Sequence, residues 1–323
     1  MFVSWGILKI ALCGENLTIF VAHMDNRVKK YICTLLCALL WCSVASAQTT
    51  IVAPNFGIPS QIAPAYFGPN AFPVPDMLDG RTSSEFVLEL YGDCFLGTTT
   101  KSVADDITGD LFLKFTLPLF SPKVNLTAWM PVFEYFYTSA EVNELRRLPE
   151  KGDIQGLNSG DVYVSTDVRI LNQEQHNIDI TARAVMKTAS AGEFAKARCY
   201  DAPGYFFDAA FGRGFKVGNN HNIRVAVSGG FLCWQTDNGR QNDAVMYGLL
   251  VAYEHGRFKA DTCFGGYVGW EGVGDRPMTL KTSLAYRLGS LSLRLQHQVG
   301  FMDWPYHQIR VGVVYAFDVF GNK

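Results

Sequence analysis

Residues 161–190 read DVYVSTDVRILNQEQHNIDITARAVMKTAS. Val162, Val164, Thr166, Val168 and Ile170 alternate with Asp161, Tyr163, Ser165, Asp167 and Arg169. Past the turn residues Asn172 to His176, Ile178, Ile180, Ala182, Ala184 and Met186 resume the apolar row, against Asp179, Thr181, Arg183 and Lys187. A period of two is a strand signal, because successive side chains leave opposite faces of a pleated backbone. Alternation alone does not say what the apolar face meets. Repetition narrows it: the hairpin recurs along the chain with no helical pattern to cover it. Such a sheet packs on another sheet or faces lipid.

Counted outward from this hairpin, strands are expected at 85–96, 108–119, 123–137, 204–217, 222–236, 244–254, 257–270, 278–288, 291–301 and 306–319. With the hairpin that makes about twelve. Pro131 predicts a bulge in the third strand. Short connections (121–122, 172–176, 218–221, 255–256, 289–290) alternate with mostly longer ones (97–107, 138–159, 191–203, 237–243, 271–276). Short turns on one side and long loops on the other mark outer-membrane barrels, and would place both termini in the periplasm. The expected fold is therefore all-β: a transmembrane antiparallel up-and-down β-barrel of about 12 strands. Aromatics form two expected belts. Tyr135, Tyr137, Tyr205, Trp234, Tyr247, Trp270, Trp304 and Tyr306 would lie toward the loops, and Phe120, Phe215, Tyr253, Phe258, Tyr286, Tyr315 and Phe317 toward the turns.

The totals agree with a sheet-built envelope protein. Of 323 residues 48% are hydrophobic and only 18% charged, against the roughly 25% charged of soluble domains. A net charge of −2 gives no electrostatic footprint for nucleic acid. Residues 1–47 read as leader and signal peptide: Arg27, Lys29 and Lys30 precede an apolar run, and Ala45-Ser46-Ala47 is an A-x-A cleavage site. Met24 is a natural start for it. The next segment, 48–83, holds six of the 13 prolines and is extended without being a ladder strand. Tail and plug are both open for it. The barrel would occupy 84–320. Of eight cysteines only Cys94, Cys199, Cys233 and Cys263 follow the cleavage site, with no zinc spacing.

The run from Gly160 through Arg169, followed by Ile180 to Lys187 and Thr188, resembles outer-membrane channels of the phenol-degradation meta-pathway type. The wider pattern, including 234–244 and 266–281, is similar to uncharacterised outer-membrane barrels of Bacteroidota. The resemblance implies transport without naming a solute. The chain departs from the usual aromatic terminus of such barrels, since Gly321-Asn322-Lys323 follow Phe320.

Parity assigns Glu89, Asp110, Lys114, Asp167, Arg169, Arg183, Lys187, Asp208, Arg224, Lys259, Asp261, Lys281, Arg287, Arg294 and Arg310 to the lumen. The first two strands are acidic and the last three basic, and closure would set them side by side. Two readings stay open: a transverse field that orients a polar or anionic solute, or a salt-bridged filling. A lipid hydrolase would need a nucleophile and a base within reach on the wall. The sequence offers only His307 with Asp303 or Glu271, and no enzyme, metal or cofactor is expected. Carboxylate-rich loops at 237–243 and 271–276 lack the full spacing of a calcium site. The expected partners are outer-membrane lipid and lipopolysaccharide, the barrel assembly machinery and, if the pore is open, a small-molecule solute.

Overall fold

The computed structural model describes residues 73–97, 105–145, 151–191, 203–235, 241–269, 275–303 and 305–320. The leader, most of the Pro-rich segment, Cys199, Glu271, Trp270 and Trp304 lie outside the described residues. The alternating stretches become β1 (Glu85–Gly97), β2 (Asp106–Pro118), β3 (Val124–Thr138), β4 (Ile154–Asn158), β5 (Tyr163–Leu171) and β6 (Asp179–Lys187). The remainder are β7 (Gly204–Lys216), β8 (His221–Gln235), β9 (Gln241–His255), β10 (Phe258–Gly269), β11 (Met278–Leu288), β12 (Leu291–Met302) and β13 (Tyr306–Asp318). Each barrel strand pairs antiparallel with its neighbours, β2 pairs β3, and β1 pairs β13 from Glu85↔Asp318 to Gly97↔Tyr306. The result is a closed 12-strand antiparallel barrel with no free edge in the ring, as an isolated curved sheet requires.

The thirteenth strand is an addition within the 138–159 connection. Short β4 pairs only the loop-side end of β3, Glu134↔Asn158 to Thr138↔Ile154, while β5 takes the rest of β3. Helix α1 (Ala140–Leu145) joins the two. The bulge expected at Pro131 is present as a register shift opposite Leu111 and Phe112. At the other end, the 172–176 turn is one helical turn, α2 (Gln173–His176). The Asn172 side chain caps it by accepting from the Gln175 amide at 3.1 Å, and Asn177, at φ 61°, closes it in the left-handed region.

The two faces separate by chemistry. Leu90, Val168, Val227, Leu249, Leu293, Val311 and Val313 stand exposed on the outer wall. Their strand neighbours Glu89, Asp93, Asp167, Asp208 and Arg224 are buried within. A water-soluble sheet does the reverse. Tyr135, Tyr205, Phe215, Tyr286, Tyr315 and Phe317 project outward as the belt pattern expects. Trp234 and Tyr306 do not. Both are buried (1% and 4% exposed) and share parity with the interior row. The Trp234 ring meets the Phe206 edge at 6.2 Å and the Tyr306 ring lies 5.7 Å from Phe95. The Tyr306 hydroxyl accepts from Gln298 Nε2 inside the barrel, and that interior bond wins over interface depth.

Candidate functional site: the barrel interior

Strand parity aims the charged side chains inward, where those that are buried must be paired. At the closing seam, Arg310 Nε lies 2.7 Å and 2.9 Å from the two Asp93 oxygens, and Gln308 Nε2 donates to Asp93 at 2.9 Å. The Arg310 guanidinium sits over the Phe112 ring at 4.3 Å. Beside it, Arg294 Nη1 donates to Glu89 Oε2 and to the Tyr91 hydroxyl oxygen, both at 3.0 Å, and Lys114 Nζ approaches Glu89 at 3.5 Å. The acidic first strands and basic last strands are thus brought together.

Across the lumen, Arg183 grips Asp208 with two hydrogen bonds, 2.8 Å and 2.9 Å, the planar fork matching the carboxylate. Arg224 Nη2 donates to Asp179 at 2.7 Å, and Lys187 pairs with Asp161. Ser165 donates to Asp167 at 3.2 Å, and Ser283 to Asp261 at 2.6 Å. Toward the turn end, Lys259 lies 3.8 Å from Glu254, and Arg287 Nη2 lies 3.0 Å from Glu85. Asp110 is buried in register between Asp93 and Glu134. Arg169 sits opposite Thr181 near the turns and joins none of these clusters; its backbone amide donates to the Lys123 carbonyl at 2.8 Å.

The interior also holds residues that strand parity does not reach. Residues 73–83 run along the inside of the wall. Lys281 pairs with the Asp76 carboxylate, and Arg183 Nη2 donates to the Asp76 carbonyl at 2.8 Å. Arg224 Nε donates to the Asp79 carbonyl at 2.8 Å and Thr181 Oγ1 to the Gly80 carbonyl at 2.6 Å. Met77 packs on Ala226, Leu250, Ala252 and Cys263. At the turn end, Ser83 and Asn125 exchange hydrogen bonds of 2.7 Å and 2.9 Å. Two wall glycines make room. A Cβ on Gly212 would stand 2.1 Å from the Asp79 carbonyl oxygen, and one on Gly248 2.7 Å from the Met77 sulfur.

The first of these contacts is with backbone, which cannot swing aside. Gly212→Ala is therefore expected to dislodge the segment at an overpacking cost of about 1–3 kcal/mol. Limited trypsin digestion should then cut after Arg81, which the unmodified protein shields through Asp79 and Glu254.

Between the segment and the wall of β1, β2, β3 and β5 a cavity of about 260 Å³ remains. Phe112, Lys114, Trp129, Tyr163, Arg183 and Arg310 are among its lining residues. Trp129 and Tyr163 stack there at 5.2 Å. This wall is polar and aromatic at once, suited to a small ring that carries a polar group.

Of the residues considered from sequence for a hydrolase, His307 and Asp303 are described and Glu271 lies outside the described residues. His307 Nδ1 lies 3.2 Å from His297 Nε2. Asp303 accepts from the Arg276 backbone amide at 2.6 Å. Centroids 5.4 Å apart in nearly parallel planes fit rings meeting edge to edge through that bond.

No family model and no curated protein sequence matches this chain. Among solved structures, it is similar to an outer-membrane channel from Pseudomonas putida: 11% identity over 75% of this chain and 100% of that one, TM-score 0.49. It is also similar to LpxR from Salmonella typhimurium, with 9% identity over 72% of this chain and 100% of that one, TM-score 0.46. For the NanC porin the figures are 12% identity, 71% of this chain and 98% of that one, TM-score 0.44.

Proposed function

We propose that this chain is an outer-membrane barrel that passes a small polar or aromatic solute. The observation that carries the reading is the inversion of the faces: apolar side chains exposed around the outer wall, ion pairs and a cavity within. Hydrocarbon outside accounts for the first, because lipid-facing positions of a spanning strand alternate with polar interior ones. The leader at 1–47 would export the chain, the assembly machinery would insert it, and both termini would lie in the periplasm with the short turns. Lipopolysaccharide and lipid would then surround the wall. In this reading the N-terminal segment is a plug, whose residues 73–83 narrow the lumen to the cavity beside Asp76. No catalytic role is assigned.

Purified protein in planar bilayers is expected to give discrete current steps that grow when residues 48–83 are removed. Silence in both forms would reject the channel. The ion-paired lumen and the segment inside it favour a second reading, a non-conducting barrel for envelope integrity or adhesion, and that same silence would support it.

A further inference from the structure

Of four cations around residue 76, three have a carboxylate of the wall beside them and one does not. Arg310 has Asp93, Arg183 has Asp208 and Lys114 approaches Glu89. Lys281 instead reaches away from the wall, to Asp76 of the inner segment. The Asp76 carboxylate also lies within the field of Lys114 and Arg310, and Asp76, Lys114, Arg183 and Arg310 all border one cavity. Two of these guanidiniums lean on rings of the same wall, Arg310 on Phe112 at 4.3 Å and Arg183 on Phe206 at 5.0 Å.

We infer that Asp76 occupies an anion subsite of the lumen, standing in for the carboxylate of a small aromatic acid that takes this site when the segment yields it. The inference rests on the reading of the interior as a solute path and names the class of solute. A planar ring would lie against Phe112, Trp129 and Tyr163, while its carboxylate would take the place of Asp76 beside Lys281. A cavity of about 260 Å³ is just under the roughly 300–1,000 Å³ of drug-sized pockets, so one ring fits and an oligomer does not. Asp167, also on the cavity wall, opposes an anion. It lies opposite Arg183 in the ladder, a cation it shares with Asp208, so its charge is only partly offset. The tethered Asp76 competes at an effective concentration of millimolar order or above. The unmodified protein therefore binds such acids weakly, and selectivity is set by how readily the segment lets go.

The test is equilibrium binding of benzoate, and of benzylamine as its opposite-charge counterpart, to the full chain in detergent micelles. The readout is fluorescence of Trp129 and Trp234, both on the cavity wall. Asp76→Asn is expected to tighten benzoate by at least about tenfold by removing the tethered competitor, with Asp76→Ser giving the same direction. Benzylamine should gain nothing, and adding Lys281→Gln to Asp76→Asn should abolish most of the gain. Unchanged benzoate affinity in both Asp76 variants, or an equal gain for benzylamine, overturns the inference. Binding in micelles does not need an open path. A gain with silent bilayers would therefore reject the channel alone, and current without a gain would reject the subsite alone.

Discussion

Leu249→Arg is expected to destabilise the barrel by about 2–4 kcal/mol in lipid vesicles, the cost of an arginine on the lipid face near the bilayer midplane. Leu249 lies mid-strand in β9, 45% exposed on the outer wall and flanked by Val227 and Phe264 on the adjoining strands. In water an exposed Leu→Arg change away from any special feature is worth within about 0.5 kcal/mol. The two solvents thus predict effects that do not overlap. Reversible urea unfolding of vesicle-inserted protein reads the difference directly. A shift below about 0.5 kcal/mol would mean that the apolar wall does not meet hydrocarbon, and the location proposed for the protein would fall with it.

Arg183→Met is expected to cost about 3–5 kcal/mol, the penalty for leaving a buried charge without its partner. Arg183 stands between two carboxylates in the ladder, opposite Asp167 on β5 and Asp208 on β7, with both of its hydrogen bonds to Asp208 buried. Its loss strands both acids and frees the Asp76 carbonyl. Combining Arg183→Met with Asp208→Leu should recover much of the loss, since a desolvated pair replaced by apolar groups is often near neutral. Urea midpoints of both variants check this. If the double variant is no more stable than the single one, the cost lies in Asp167, still stranded, or in the packing of Arg183 on Phe206 rather than in Asp208.

The barrel was legible because every strand repeats one rule. Alternation and the side of each charge follow from a period of two, so Glu89, Arg294 and Arg310 could be assigned inward from sequence. The inner segment was not legible in that way. Pro73, Pro75 and Gly80 break any period, and a chain whose carbonyls bond to arginines leaves no pattern of its own. Its trace lies on the wall, where Gly212, Ala226, Gly248 and Ala252 are small residues at interior positions of β7, β8 and β9. Read as room for a second backbone, they point to it. β4 and α1 were hidden for another reason: five and six residues are too few for periodicity to rise above composition. Trp234 and Tyr306 were misplaced because depth was weighed ahead of parity.

The seam between β1 and β13 bears on how the cylinder comes to be made. Carboxylates Glu85, Glu89 and Asp93 sit on the first strand to emerge, and their partners Arg287, Arg294 and Arg310 on the last three. Until the ring shuts, the growing ribbon carries an acidic rim at its start and a basic rim at its finish. Like rims of two unfinished copies repel, while the two ends of one copy attract. The first strand is thus marked to meet the last rather than another first strand.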